Sequence, residues 1–272
     1  MVSKIKLNLK NLDTKTLALI CITIIAVTWI SASSALQPPS FDLEAEMVYD
    51  ALQTEIGSSV SALEKSASFI IGQVGSYTYV LNGTNGRLWN YSTDANTVIS
   101  LALDGLTDGR TWKERVILKG TFEITDSSPV PLQLAGYTIF DLRQAKIIDN
   151  RSQTDAGKWE NLIENEHPNA GDSHIEILGG IIDGQRGSVW FQDEEGAGYG
   201  STGNGILWIN VSQSQVVGTT FLNCAGNAVG TVDTANNSYR NLYAENCVGY
   251  GQFEQTGEEN SEWVFCTAVN SV

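Results

Sequence analysis

Proline is scarce in these 272 residues, at five, as are cysteine, at four, and histidine and methionine, at two each. The cysteines show no CxxC or CxxH spacing, which excludes a zinc ribbon and a disulfide framework, and no metal site is read from them. Cys21 lies inside an apolar run, so an odd three remain outside it. His167 and His174 lack the HxH or HExxH spacing of metal ligands. Positive charge is short as well: 16 Lys and Arg face 31 Asp and Glu, a net charge of -15 at pH 7. Such a surface repels phosphate backbones and argues against a nucleic-acid partner. No Gly-rich phosphate cradle and no GxSxG elbow occurs.

What is plentiful is glycine, at 26, together with asparagine, a mixture that suits tight turns between short strands. Residues 1–36 run from Lys4, Lys6, Lys10 and Lys15 into LALICITIIAVTWI and then SASSAL. A basic start, an apolar stretch and a small-residue end match a secretory signal with Ala35 at the cleavage point. Counted to Leu36, the uncharged segment is also long enough to serve as a membrane anchor, a transmembrane helix that makes the membrane itself a partner. Either way the lysines stay on the cytoplasmic side, so the remainder is expected outside the cell, secreted or held at the surface. Sequons at Asn82, Asn90, Asn150, Asn210 and Asn236 are glycosylation candidates of an exported glycoprotein.

Residues 37–75 read as a helical stalk or cap, with Leu43, Met47, Leu52, Ile56, Val60, Leu63, Ala67 and Ile70 on one helical face. From residue 76 the pattern changes. SYTYVLNGTNGRLWNYS predicts a hairpin turning at NGTNG. STDANTVISLALDGL predicts a short amphipathic helix capped near Asp94, with Val98, Leu101, Ala102 and Leu106 inward. RVILKGTFEI, PLQLAGYTIFDL and AKIIDN then follow as short strands broken by Gly or Asp turns. One short helix and many close-set strands predict an all-β stack over residues 76–272.

A repeat specifies the stack. FLNCAGNAVG recurs as AENCVGYG, with Asn223 and Asn246 23 residues apart and Cys224 and Cys247 likewise. At that offset Val216 meets Tyr239 and Val229 meets Gln252; at an offset of 24, Tyr239 meets Trp263, Ala244 meets Ala268 and Asn246 meets Asn270. GGIIDG brings Asp183 to the Asn position at an offset of 40, with residues 187–204 as a loop added to that coil. A period in the low twenties made of strands and turns predicts a solenoid. Asp183, Asn223, Asn246 and Asn270 would form a structural turn ladder, since Asn and Asp tolerate a left-handed corner and bond to nearby backbone. The cysteines that follow would pack as neighbouring thiols about 4.8 Å apart.

YVLNGTNGRLWNYSTDANTVISLALDGL, RVILKGTFEI and HIEILGGIIDG together resemble the opening of the pectate-lyase-like right-handed parallel β-helix superfamily, especially its exported archaeal surface proteins. The resemblance implies an all-β right-handed parallel β-helix solenoid, preceded by an N-terminal hydrophobic helix and a capping helix. In that superfamily polysaccharides are cleaved by calcium-assisted elimination or by three aspartates on NTD and DD segments with GHG and RIK elements. NTD, GHG and RIK are missing here, so no catalytic residue carries over.

Binding candidates therefore come from the two longest irregular stretches. The first holds Trp159 with Asp155, Glu160, Glu164, Glu166, His167 and Asp172, and the second holds Trp190, Asp193, Glu194, Glu195 and Tyr199 with Phe191. Aromatic rings beside carboxylates suit carbohydrate, a carboxylate pair could serve as acid and base, and hard oxygens could hold calcium. Asp-Glu-Glu on a loop is equally a solvated charge run. The chain stops at SEWVFCTAVNSV in mid-coil, which reads as a truncated gene product or as an end covered by another subunit in a homo-oligomer. The expected function is engagement of a polysaccharide or surface glycan, as a lyase or glycoside hydrolase relative or as a glycan-binding module. The alternative is a non-catalytic structural or adhesive protein of a cell envelope or virion.

Overall fold

The computed structural model describes residue 49 and residues 66–125, 131–151, 161–185, 203–247 and 253–270. The chain divides into two compact units, Met1–Ala51 and Leu52–Val272, and all but Tyr49 of the described residues belong to the second. The expected anchor in residues 1–36 and most of the expected stalk lie outside them. Among the described residues no helix is long and apolar enough to cross a membrane.

The second unit is all-β, with parallel sheets and one short helix among its described residues. It begins earlier than residue 76. β1 (Phe69–Val74) pairs antiparallel with β2 (Tyr77–Asn82), which forms the expected hairpin with β3 (Leu88–Ser92). The helical face drawn through Ile70 thus ends in a strand, because FIIG places Phe69 and Ile71 in the core at two-residue spacing. α1 (Ala95–Asp104) is capped by Asp94, whose carboxylate accepts from the Asn96 N–H at 3.1 Å. Its buried face is Val98, Ile99, Ala102 and Leu103, while Leu101, expected inward, is exposed. The helix packs on β2 and on β4 (Glu114–Ile124) and β5 (Leu132–Leu134), closing over the first strands of the stack.

β6 (Thr138–Asp149) fuses what the sequence suggested as two strands. Beyond it come β7 (Ile163–Asn165), β8 (Asp172–Ser173), β9 (Glu176–Leu178), β10 (Ile181–Asp183), β11 (Ile206–Ile209) and β12 (Val211–Ser212). The chain continues through β13 (Gln215–Val217), β14 (Thr220–Leu222), β15 (Val229–Val232), β16 (Ser238–Arg240), β17 (Tyr243–Glu245), β18 (Phe253–Thr256), β19 (Glu262–Val264) and β20 (Thr267–Val269). β8 and β12 pair with each other in a short sheet of their own, and the other strands stack in parallel in three columns. The first holds the start of β6, then β9, β13, β16 and β19; the second holds the end of β6, then β10, β14, β17 and β20. The third holds β5, β7, β11, β15 and β18. From β13 onward the chain visits first, second and third columns in that order and repeats.

Register agrees with the sequence offsets at Val216 with Tyr239, Tyr239 with Trp263, and Ala244 with Ala268. Val229, however, meets Phe253 rather than Gln252, so the one-residue lengthening enters between Cys247 and Phe253. Asp183 pairs in the backbone with Leu222, one position short of the expected Asn223. Gly184 holds the corner register instead, its N–H donating to the carbonyl of Leu222 as that of Asn223 donates to Glu245.

The core is filled by complementary volumes. Val216 and Phe221 face inward from one pass, Tyr239 and Ala244 from the next, and Trp263 and Ala268 stand at the same positions of the third. Where the first column grows from Val216 to Tyr239, the second shrinks from Phe221 to Ala244, so interior volume is roughly conserved between those two passes. Tyr239 and Trp263 stack with ring centroids 3.9 Å apart. Buried polar ladders join the passes from within. The Asn204 amide donates to Asn161 Oδ1 at 2.8 Å, and Asn204 Oδ1 accepts from the Asn227 N–H at 2.7 Å. Asn237 Oδ1 likewise accepts from the Ser214 N–H at 2.9 Å. These contacts satisfy backbone donors that the sharp corners strip of strand partners.

Candidate functional site

At the corner leaving the second column, Asn223, Asn246 and Asn270 take left-handed φ values of 51°, 57° and 53°. Their side chains bond in series: Asn223 Nδ2 donates to Asp183 Oδ1 at 3.0 Å, Asn246 Nδ2 to Asn223 Oδ1 at 3.4 Å, and Asn270 Nδ2 to Asn246 Oδ1 at 3.2 Å. Cys224 and Cys247 follow as buried thiols rather than a disulfide, and Cys266 is a half-buried third. The hydrogen bond with Cys247, then burial, pushes the Cys224 thiol well above its usual range. This corner is scaffold, with its polar groups turned on one another.

The buried carboxylates are similarly engaged. Asp141 accepts from Arg143 Nε at 2.9 Å and Nη2 at 2.6 Å, and Asp149 from the corresponding atoms of Arg151 at 2.7 and 2.8 Å. Asp183 also meets Lys146 Nζ at 2.8 Å. Burial alone would raise Asp141 and Asp183, but the Arg143 bonds to the first, and the Lys146 and Asn223 bonds to the second, outweigh it and hold both carboxyls below their ordinary range. A void beside Asp149, Ile182, Asn204 and Cys224 has about 10 Å³, room for a single water.

Trp159, Trp190, Asp193, Glu194, Glu195 and Tyr199 all lie outside the described residues. The chain leaves the described core after Arg151 and after Gln185, and returns at Asn161 and Gly203, in both cases between the second and third columns. Among the described residues no group of three or more His, Cys, Asp or Glu is placed to hold a metal ion. Of the sequons, Asn82 and Asn90 are half-buried, with Asn82 Oδ1 accepting from the Thr84 N–H at 3.0 Å, whereas Asn150, Asn210 and Asn236 are exposed. Asn210 Nδ2 donates to the Pro168 carbonyl at 2.6 Å.

The corner leading into the first column is arranged differently. Tyr137, His174, Gln213, Asn236 and Asn260 occupy one position on successive passes, with φ of 62°, 62°, 52°, 58° and 53°. Each of the first four donates its N–H to the carbonyl just ahead of the next in the series, at 2.8 to 3.1 Å. The rings of Tyr137 and His174, both half-buried, stack 4.5 Å apart and 5° from parallel. His174 Nδ1 meets Ser173 Oγ at 2.9 Å. Gln213, Asn236 and Asn260 are exposed, and among the described residues their side-chain amides make no hydrogen bond. One strip of neutral donors and acceptors therefore runs along this edge at strand spacing, about 4.8 Å.

A fixed polar group stands at the head of the strip. Asp172 is buried and accepts from the N–H of Gly136 at 2.9 Å, the N–H of His167 at 2.7 Å and Asn165 Nδ2 at 3.1 Å, and it meets His167 Nδ1 at 3.1 Å. Four partners leave it to orient the exposed His167 ring, and that hydrogen bond raises the imidazole above its ordinary range. Arg110 is buried beneath, bonded to Thr138 Oγ1 and to the Thr107 carbonyl at 3.0 Å. Trp112, 55% exposed, precedes Lys113, which pairs with Glu176. Of this edge the sequence pointed to His167 and Asp172, as candidates in the first irregular stretch, and to Asn236, as a sequon, but not to Tyr137, Gln213 or Asn260. Carrying the 23- and 24-residue offsets back from Asn260 through Asn236 would have reached Gln213.

No protein-family model matches the chain. No curated protein matches it either. Among solved structures, the chain is similar to one from Parabacteroides merdae described as a candidate glycosyl hydrolase, at 15% identity and a TM-score of 0.46, over 65% of this chain and 89% of that one. A likeness of that size carries no inference about activity.

Proposed function

We propose that this chain is a right-handed parallel β-helix of the pectate-lyase-like kind, exported and either secreted or held at the membrane by its N-terminal segment, and that it binds polysaccharide. The basic, apolar and small-residue order of residues 1–36 supports export. Three parallel columns visited in fixed order support the coil. The observation that carries polysaccharide binding is the strip from Tyr137 to Asn260. A row of polar side chains, one per pass and ending in three exposed amides that bond to nothing among the described residues, offers a polymer of hydroxyls a matching row of donors and acceptors. Binding rather than turnover is favoured because Asp141, Asp149, Asp172 and Asp183 are already bonded to cations or several donors.

The second reading, a structural or adhesive surface protein, is favoured by the Asp183 to Asn270 ladder, whose amides serve only the stack. A glycan array and a turnover screen on the full chain, with and without calcium, separate the two. Binding without turnover supports the proposal. Turnover would replace the binding module with an enzyme, and the absence of both would leave the structural reading. Whether the chain self-associates is read in the same samples by light scattering.

A further inference from the structure

We infer that the ligand of this strip is a neutral, linear glycan lying along the stack with about one sugar ring per pass. The inference rests on the polysaccharide reading above and specifies its chemistry. Left-handed backbone is least costly for Gly and Asn, and the neighbouring corners mostly follow that preference, with Gly218 and Asn241 at one and Asn223, Asn246 and Asn270 at the other; Phe265, at φ 53° in the register of Gly218 and Asn241, is a single exception. Tyr137 and Gln213 do not follow it: they hold φ of 62° and 52° where a smaller residue would relieve strain. Strain of this sort persists where the side chain has a task beyond the fold.

The side chains at these positions are a phenol, an imidazole and three carboxamides, groups that both donate and accept, as sugar hydroxyls do. A polyuronate would require cations instead. The nearby cations are committed, Arg110 to Thr138 and the Thr107 carbonyl and Lys113 to Glu176, while Asp108 and Glu166 are exposed beside them. His167 carries positive charge only when protonated, and Asp172 sits against it. With a net charge of -15 over the chain, each added uronate carboxylate is repelled rather than recognised.

The test uses the purified full chain and calorimetry with 1,4-linked gluco-, manno- and galacto-oligosaccharides from two to eight residues long, beside oligogalacturonates of equal length. One neutral series should bind with affinity that climbs to about five residues and then levels off, unchanged by salt, and at least about tenfold tighter than the uronates. Gln213→Gly should unfold no more readily than the parent, because it relieves the corner, yet bind the longer oligosaccharides about tenfold more weakly. A residue kept only for the fold would show no such split. Tighter uronate binding, affinity independent of length, or unaltered binding by Gln213→Gly would overturn the inference while leaving polysaccharide binding intact. If no oligosaccharide of either kind binds and the glycan array is blank, the underlying proposal fails first.

Discussion

Replacing Asn223 tests the corner argument at its centre. The residue does two separable things: it sits at φ 51°, and its side chain links Asp183 at 3.0 Å to Asn246 at 3.4 Å. Alanine removes both. The left-handed conformation costs a residue with a Cβ about 1–2 kcal/mol. The bond to the Asp183 carboxylate, half-exposed on the Asn side, and the longer bond to Asn246 together contribute about 1–2 kcal/mol. Asn223→Ala is therefore expected to lower unfolding free energy by about 2–4 kcal/mol, a Tm decrease of some 4–16 °C at about 2–4 °C per kcal/mol for a unit of this size.

Asn223→Gly loses the same bonds but keeps the backbone at ease, at the expense of about 0.5–1 kcal/mol from a more flexible unfolded chain. It should therefore be the more stable variant by about 1 kcal/mol. Urea unfolding followed by circular dichroism resolves that gap. If alanine equals or exceeds glycine, the left-handed corner is not what selects Asn223. If both stay within about 0.5 kcal/mol of the parent, the ladder contributes nothing measurable and the scaffold role assigned to it is wrong.

Phe265 offers the converse change. It stands at φ 53° in the register of Gly218 and Asn241 and is 82% exposed, so its ring gains little from burial. Phe265→Asn should raise stability by about 1 kcal/mol, read as a Tm increase, and a decrease would contradict the assignment of strain. Acid should weaken the fold through Asp141 and Asp183. Both have folded pKa values below the ordinary range, so their stabilisation is complete above the unfolded-state pKa, near 3.9, and is lost as pH falls through the lower folded value. Unfolding free energy measured from pH 6 downward should fall below about pH 4, and Asp183→Asn should flatten that dependence; an unchanged slope in the variant would refute the role of Asp183.

The parts of the fold that could be read from the sequence are those where one residue type has one structural reason. Asn223, Asn246 and Asn270 recur because asparagine tolerates a left-handed corner, and the recurrence yields the period directly. The core was less legible. Val216, Tyr239 and Trp263 differ in size, and Phe221 gives way to Ala244 and Ala268, so neither row is uniform along the stack. The exchange of volume between Val216 with Phe221 and Tyr239 with Ala244 becomes visible only once the register is known. β1 was hidden for a different reason. Ile70 fits both a helical spacing carried from Ala67 and a strand beside Phe69 and Ile71, and the choice is made by β4, which pairs with Phe69, Ile70 and Ile71 from more than forty residues away.

The strip from Tyr137 to Asn260 escaped notice because it violates the rule that made the other corner visible. A search for Asn and Gly at corners finds the residues that the backbone prefers, and these explain themselves by the fold alone. Tyr137, His174 and Gln213 take the same conformation against that preference, and their offsets are lengthened by the irregular segments between passes. At the Asn223 corner the residues follow conformational economy, and at the Tyr137 corner they depart from it, a departure that the proposed ligand would explain. In a stacked fold whose corners are otherwise interchangeable, the position where the wrong residue is kept at a left-handed φ is the better guide to function. Phe265 and Gln185 also hold such a φ, each once; what sets the Tyr137 edge apart is that three successive passes, at Tyr137, His174 and Gln213, depart from Gly and Asn at the same corner.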